Sequence, residues 1–365
     1  HWMVHSFPTR RSSDLNNILV TGYISGSATF GSTTLSTAGP KNWDMDLFVL
    51  KLDPDGNVLW VRQGARQAPP CAALGRAIGA DGQGNVFVGG GFSATSDFGR
   101  IRLASRSSGT GPDGFLTKWS PAGEILWAAR LGEQAIQASN LSSVEIQTQG
   151  QTRPPMASSL VVGSQGDCRL HSGAQLWVYR ADGAFSTAPG VASADASSAA
   201  STGGTALDAA DNSYVTGDLG NAAGLCKVNP KGQVLWTKSL GVSGSGSASG
   251  YDVTVDRGGN AIIAGSFTGT LQAGAATLTS AGGCDIFVAA FSPNGDLLWA
   301  TTAGGPGNDM CRGVTANYDG KVWIAGTYGA QYGSGSHAAT FGDISLPAPT
   351  DDKKVYVAAL ESKGG

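Results

Sequence analysis

One frame recurs four times in this chain: "DPDGNVLW" (53–60), "SPAGEILW" (120–127), "NPKGQVLW" (229–236) and "SPNGDLLW" (292–299). A short turn ends in Gly, and Trp stands four places after that Gly. A chain that repeats one small supersecondary unit has to stack the copies, because a single copy cannot bury its apolar faces alone. The segments around the frame are short and rich in β-formers, as in "NILVTG", "NVFVGG" and "DIFVAAF", and Gly, Asp and Asn punctuate them. That pattern reads as strands joined by tight turns, with almost no helical periodicity.

The clearest copy spans 251–305. It reads as strand a ("DVTVD"), an "RGGN" turn, strand b ("AIIAG"), a long excursion, strand c ("DIFVAAF"), a Pro-Asn-Gly turn and strand d ("LLWATT"). A Gly closes strand b at Gly22, Gly90, Gly163, Gly217, Gly265 and Gly326. The strand c position carries Phe48, Phe115, Trp177, Leu225, Phe287 and Tyr356, at intervals of 48 to 69 residues. The excursion has its own signature, Phe-Gly-x-x-x-Leu, in "FGSTTL" (30–35), "FGRIRL" (98–103) and "FGDISL" (341–346), weakened to "AGAATL" (273–278). Four-stranded units of this length bury both faces when stacked radially, so the fold expected is a β-propeller of about six four-stranded blades. Roughly 20–24 strands follow from that count. The terminal blades are incomplete: copy one lacks strand a, and copy six stops at "VYVAALESKGG" without strand d. A degenerate copy lies at about 139–205. The strand d tryptophans read as wedges between blades, each burying ~150–250 Å²; a sugar-stacking platform is the other reading.

Residues 1–15, "HWMVHSFPTRRSSDL", do not share this pattern, and "FPTRRSSDL" resembles a translated sequencing adapter. They lack the apolar run of a signal peptide and are set aside as a non-native leader, leaving 16–365 as one propeller domain with any export signal missing. The net charge of −3 and the absence of a basic stripe argue against nucleic acid as a partner. No stretch of 18 apolar residues exists, so no membrane insertion is expected.

The combination of "GNVFVGG", "FG…L…SAGG", "DIFVA" and "SPNGDLLW" resembles the SBBP-type β-propeller repeats of bacterial secreted and surface proteins, over residues 16–365 and weakly across 139–205. The resemblance implies an exported bacterial protein, located extracellularly, at the cell surface or in the periplasm, most of whose relatives have no assigned activity. A weaker resemblance is to the pyrroloquinoline-quinone dehydrogenase repeat. Here, however, the turn is Asp53-x-x-Gly56 rather than Asp-x-x-x-Gly.

No catalytic, cofactor-binding or metal-ligating set emerges from the residues, and no cofactor is expected. Outside the leader only His171 and His337 remain, in different repeats, too few for a multi-His metal centre. "DPDG" lacks the ligand series of a calcium loop, and "GSGSASG" (244–250) lacks the strand–turn–helix setting of a nucleophile elbow. Asp46, Asp113 and Asp285 share one repeat position at the head of strand c. They are expected to cap a loop through backbone N–H groups rather than to form a site. Five cysteines, Cys71, Cys168, Cys226, Cys284 and Cys311, leave a Cys284–Cys311 disulfide open in an oxidising compartment. The long b–c excursions are expected to crowd one face of the scaffold, where binding residues accumulate. The candidates there are Lys41, Trp43, Arg102, Arg106, Tyr328, Tyr332 and His337. The leading function is therefore a non-catalytic platform for a protein or a cell-surface polysaccharide. A propeller enzyme (a quinone-dependent dehydrogenase or a lactonase-like hydrolase) and a pure scaffold stand as alternatives.

Overall fold

The computed structural model describes residues 3–4, 17–37, 45–64, 72–105, 112–140, 145–146, 159–172, 175–187, 203–317, 320–330, 337–349 and 354–360. The chain is all-β, of the β-propeller class, and its described residues hold 33 strands and one three-residue 3-10 turn. No helix among them is long and apolar enough to cross a membrane. The strand count exceeds expectation because the b–c excursions fold as hairpins of their own. These are Ser27–Phe30 with Thr33–Ser36, Thr95–Phe98 with Ile101–Ala104, Thr270–Ala273 with Ala276–Thr279, and Ala339–Phe341 with Ile344–Leu346.

The chain divides into two compact units, His1–Gly190 and Val191–Gly365, each with three antiparallel meanders; the last meander of the chain shows only strands a, b and c among the described residues. In the first unit the first blade runs Ile18–Ile24, Asp46–Leu52 and Val58–Gly64, and Met3–Val4 pairs with its b strand in the place of strand a. The second blade runs Ala73–Ala80, Val86–Phe92, Asp113–Trp119 and Ile125–Arg130. The degenerate third blade is Ser159–Val162, Cys168–Ser172, Gln175–Tyr179 and Phe185–Thr187. Its b and c strands are joined directly, without an excursion. Gly163 therefore does not close a b strand; it opens the a–b turn, its amide donating to Asp167 O at 2.8 Å. The second unit holds Thr205–Leu207, Ser213–Leu219, Ala222–Val228 and Val234–Ser243, then Ala248–Val255, Ala261–Phe267, Asp285–Phe291 and Leu297–Ala303. Its last blade is Asn308–Ala316, Val322–Ala330 and Lys354–Leu360.

The tight turns share one geometry. In the first, the Asp53 amide donates to Asn57 O (2.9 Å), the Gly56 amide donates to Asp53 O (3.1 Å), and Gly56 sits at φ 87°. This is a three-residue hairpin loop, a type I turn whose third residue is left-handed and forms a bulge. The ladder accordingly slips at Lys51/Leu52, Lys118/Trp119, Lys227/Val228 and Ala290/Phe291. Gly is needed there because other residues rarely adopt positive φ. In the fourth blade Asp211 takes the position at φ 60°.

The Trp of the frame reaches the same turn one blade further on. Trp60 Nε1 donates to Pro121 O (2.9 Å), Trp127 Nε1 to Ala181 O (3.3 Å) and Trp236 Nε1 to Pro293 O (3.1 Å). A Cβ on Gly123 would lie 2.9 Å from the Trp60 ring, and one on Gly295 would lie 3.0 Å from that of Trp236. One glycine thus permits both the turn and the seating of the preceding blade's indole. A buried lysine of strand c reinforces the joint. Lys118 Nζ donates to Ala181 O (3.2 Å), lies 3.4 Å from Asp81 Oδ2 and sits 4.9 Å from the Phe87 ring centroid. Lys227 repeats this with Pro293 O (3.2 Å), Asp208 (3.2 Å) and Tyr214 (4.8 Å). A buried ammonium needs such paired and hydrogen-bonded surroundings.

Candidate functional site

The excursions decide where the expected binding residues sit. Phe30 packs on Phe48 with ring centroids 5.0 Å apart, Phe98 on Phe115 at 4.8 Å and Phe341 on Tyr356 at 4.7 Å. The following Gly turns the hairpin so that its tip meets its own strand d: Gly31 faces Val58, Gly99 faces Ile125 and Gly274 faces Leu297. The hairpin strands also bridge to the blade before. Gly241–Ser243 pair with Thr270–Gln272, and Gly304 exchanges two hydrogen bonds with Thr340 (3.0 and 2.8 Å). The described excursions are therefore packed joints, each folded back on its blade edge, rather than a crown of free loops.

Of the expected binding residues, Lys41, Trp43, Arg106 and Tyr332 lie outside the described residues. Arg102 is on a hairpin strand, where its guanidinium clasps Asp97 at 2.7 and 3.1 Å. Tyr328 is 5% exposed and belongs to the core of the last two blades, its hydroxyl donating to Pro347 O at 3.3 Å. It is a packing residue, which corrects its reading as a surface contact. The His337 amide donates to Gly329 O at 3.3 Å, tying the incoming hairpin to strand b.

The cysteine pairing is also corrected. Cys284 and Cys311 are both free thiols. Cys311 is buried in strand a of the last blade, where its thiol donates to Gly313 O (3.4 Å) and Ala325 O (3.7 Å). The half-buried Cys284 directs its thiol to Asp309 O (3.8 Å). Burial pushes the Cys311 thiol up to about 11, so it stays protonated and inert. Cys71 lies outside the described residues.

Two carboxylates meet in the second unit. Asp285, at the head of strand c in the fifth blade, lies against Asp309, which begins the sixth. Both accept the Gly305 amide, at 3.1 and 2.8 Å, and Asp309 also accepts the Gly329 amide at 2.8 Å. Asp285 takes the Ala281 amide in addition, which is the loop-capping role expected of it. Burial, with the like charge of Asp285 added, pushes Asp309 up to about 6. Asp252 is likewise pushed up to about 6 by burial while it accepts the Val314 and Val253 amides at 2.9 Å. These oxygens hold backbone in place. Among the described residues no group of three or more His, Cys, Asp or Glu is arranged to hold a metal ion.

Two shallow grooves flank the turns. One, of about 590 Å³, lies between the tip at Gly31–Thr33 and the segment Gly56–Arg62; the other, of about 400 Å³, lies between Lys238–Leu240 and Gly295–Leu297.

The surface that departs furthest from its counterparts is the sheet of the sixth blade. Val355 and Val357 on its c strand are 77% and 67% exposed, and Trp323 on strand b is 40% exposed. Their ladder equivalents in the fifth blade are Ile286, Val288 and Ile262, at 0%, 2% and 2%. Those are covered by the sixth blade itself, through Val314, Val322, Ile324 and Phe341. The open face thus has the composition of a buried one. Sequence reading missed it because "KVWIAG" and "KVYVAAL" carry the same apolar pattern as every covered blade.

No family profile matches the chain, and no curated protein sequence matches it. Among solved structures it is similar to virginiamycin B lyase from Staphylococcus aureus, at 10% identity and a TM-score of 0.47, over 96% of this chain and 89% of that one. It is similar to a gluconolactonase from Xanthomonas campestris at 14% identity and a TM-score of 0.40, over 85% and 86% of the two chains. A calcium-binding regucalcin from Agrobacterium tumefaciens is similar at 10% identity and a TM-score of 0.37, over 83% and 81%.

Proposed function

We propose that this chain is an exported bacterial protein of the SBBP-repeat kind that acts as a non-catalytic interaction platform for another protein. The observation that carries the reading is the open sheet of the sixth blade, where Trp323, Val355 and Val357 present core-type side chains to solvent. Contiguous apolar surface of that kind marks interaction sites. Its apolar character favours a protein over a polysaccharide as partner, because a sugar face also asks for polar groups beside an aromatic platform. An enzymatic reading would start from Asp285 and Asp309, but their oxygens are engaged by backbone amides.

The test is a bis-ANS titration of the intact protein and of a Val355→Lys/Val357→Lys double variant. Dye fluorescence should fall sharply in the variant while the melting temperature stays put. Equal fluorescence in both would remove the open face as the platform. Turnover of a lactone panel that disappears in Asp309→Asn, in a protein that still melts as the parent does, would overturn the non-catalytic reading.

A further inference from the structure

The glycine that closes strand b admits a distortion of the strand beside it. A Cβ on Gly90, Gly265 or Gly326 would overlap the backbone oxygen of Leu74, Ser249 or Met310 on strand a of the same blade. There strand a carries a bulge: its ladder slips between Gly75 and Ala77, between Gly250 and Asp252, and between Cys311 and Gly313. One residue is left without a ladder partner each time: Arg76, Tyr251 and Arg312. The residue before it is seated against the preceding blade. A Cβ on Gly75 would overlap Thr21 Oγ1, and one on Gly250 would overlap Thr216 Oγ1. Where the preceding blade has Ala264 in the place of that Thr, the sixth blade has Cys311, and the two share one core. A bulge held in this way re-aims a single side chain and recurs beside functional sites.

In the second unit two of the re-aimed side chains meet. The Arg312 guanidinium lies over the Tyr251 ring, 4.7 Å from its centroid, and donates to Met310 Sδ at 3.3 Å. Arg312 is exposed and Tyr251 is half-buried. Arg102, Arg130 and Arg169 are each paired with a carboxylate, of Asp97, Glu133 and Asp167. Arg312 has no such pair among the described residues. The neighbouring Asp252 does not neutralise it, because its carboxylate accepts the Val253 and Val314 amides.

We propose that Tyr251 and Arg312 form a seat for an Asp or Glu side chain of a partner polypeptide. The inference rests on the interaction-platform reading and deepens it by naming the chemistry of one contact. The guanidinium fork receives the carboxylate in a bidentate pair, and stacking on Tyr251 holds the plane of the fork before the partner arrives. Tyr and Arg are the residue types that anchor protein interfaces. One guanidinium balances the single charge of a carboxylate, whereas a phosphate group carries about −1.5 to −2 at neutral pH.

The experiment titrates the full chain at low ionic strength with rhodamine-labelled GSEESG peptide and with its GSQQSG counterpart, read by fluorescence anisotropy. Saturable binding of the Glu peptide is expected, with the Gln peptide weaker by about tenfold or more, as for loss of a charged hydrogen-bonded partner. Arg312→Gln should lose the same factor, and Arg312→Lys, which keeps the charge without the fork, should restore only part of it. Tyr251→Leu should weaken binding about threefold, as for loss of the ring beneath the cation. Arg76 lies over no ring among the described residues, so Arg76→Gln should change the affinity by less than about twofold. All four variants should melt as the parent does. Absence of Glu-peptide binding while bis-ANS still reports the open face would overturn the seat and leave the platform reading intact. Absence of both would overturn both. Undiminished binding in Arg312→Gln, or equal affinity for the two peptides, would overturn the carboxylate pairing. A loss in Arg76→Gln equal to that in Arg312→Gln would reduce the effect to general charge attraction and overturn the seat as well. Inorganic phosphate that displaces the peptide at lower concentration than acetate does would reassign Arg312 to a phosphate-bearing ligand and overturn the proposal.

Discussion

The fifth and sixth blades are built from nearly the same instructions and end in opposite states. "DIFVAAF" and "KVYVAAL" alternate alike, both seat an aromatic (Phe287, Tyr356) opposite the Gly of strand b, and both carry an excursion hairpin. Yet Val288 is 2% exposed and Val357 is 67% exposed. The strand pattern makes a sheet with two apolar faces; it does not provide the cover for either. Cover comes from the neighbouring blade, through contacts such as those of Ile324 and Phe341 with the fifth blade's face. A residue's cost of substitution therefore follows its place in the stack rather than its place in the repeat.

The strongest way to break this comparison is to put one charge at both equivalent positions. Val288→Lys buries an unpaired ammonium and should prevent stable folding, at a cost of several kcal/mol, whereas Val357→Lys should change stability by no more than ~0.5 kcal/mol. Urea denaturation of both variants checks it, and equal losses would mean that the sixth sheet is covered in solution.

Next in size is the seating of the inter-blade indole. Trp127→Ala removes a ring that is 2% exposed and its bond to Ala181 O, and should cost ~3–5 kcal/mol. Trp299 is only partly buried against the core of the last two blades, so its replacement by Ala should cost less. Equal costs would show that the turn contact adds nothing to the joint.

The joint between the two compared blades should also be pH-sensitive. Asp309 and Asp252 have folded values near 6, above the ordinary 3.8, so the folded state holds their protons more tightly than the unfolded one. Their contribution is greatest below about pH 4, is lost as the pH rises through about 6, and is then constant. Melting temperature should therefore fall across that window, and Asp309→Asn should shrink the fall. An unchanged slope in the variant would assign the titration elsewhere.

The smallest effect belongs to the turns, which are common to all the blades. Asp211 holds the left-handed position at φ 60° that Gly fills in the other turns, including Gly56, Gly123, Gly232 and Gly295. Asp211→Gly should raise stability by a few tenths of a kcal/mol, limited by the backbone entropy that Gly adds to the unfolded chain. A difference in the midpoint of urea unfolding reads this, and destabilisation would show that the Asp211 side chain outweighs the strain.

Much of the fold is legible in the residues, because its rules are local. Gly-x-x-x-Trp specifies a type I turn with a left-handed third residue and a strand behind it. Phe-Gly-x-x-x-Leu specifies a hairpin reversal, and the Gly at the end of strand b is needed because a Cβ at Gly90 would overlap the Leu74 carbonyl. The third blade shows where such rules fail. With no excursion and a Gly at 163 in the wrong register, the pattern misplaces strand b by one strand. The reading of Tyr328 as a surface residue failed for a different reason. Loop length placed Tyr328 on an open face, but a long connection can fold back on its own blade edge, and this one does.

By itself the sequence determined the repeating unit, its strand order and its turns, since these depend on φ preference and on alternation over a few residues. Tertiary structure alone decided that Asp285 meets Asp309, that Tyr328 is core, that the two cysteines remain apart and that Trp323 is uncovered. Each of those depends on which surface lies opposite, and apolar burial, hydrogen bonding to backbone and charge repulsion act between groups that are near in space however far apart they stand in the chain.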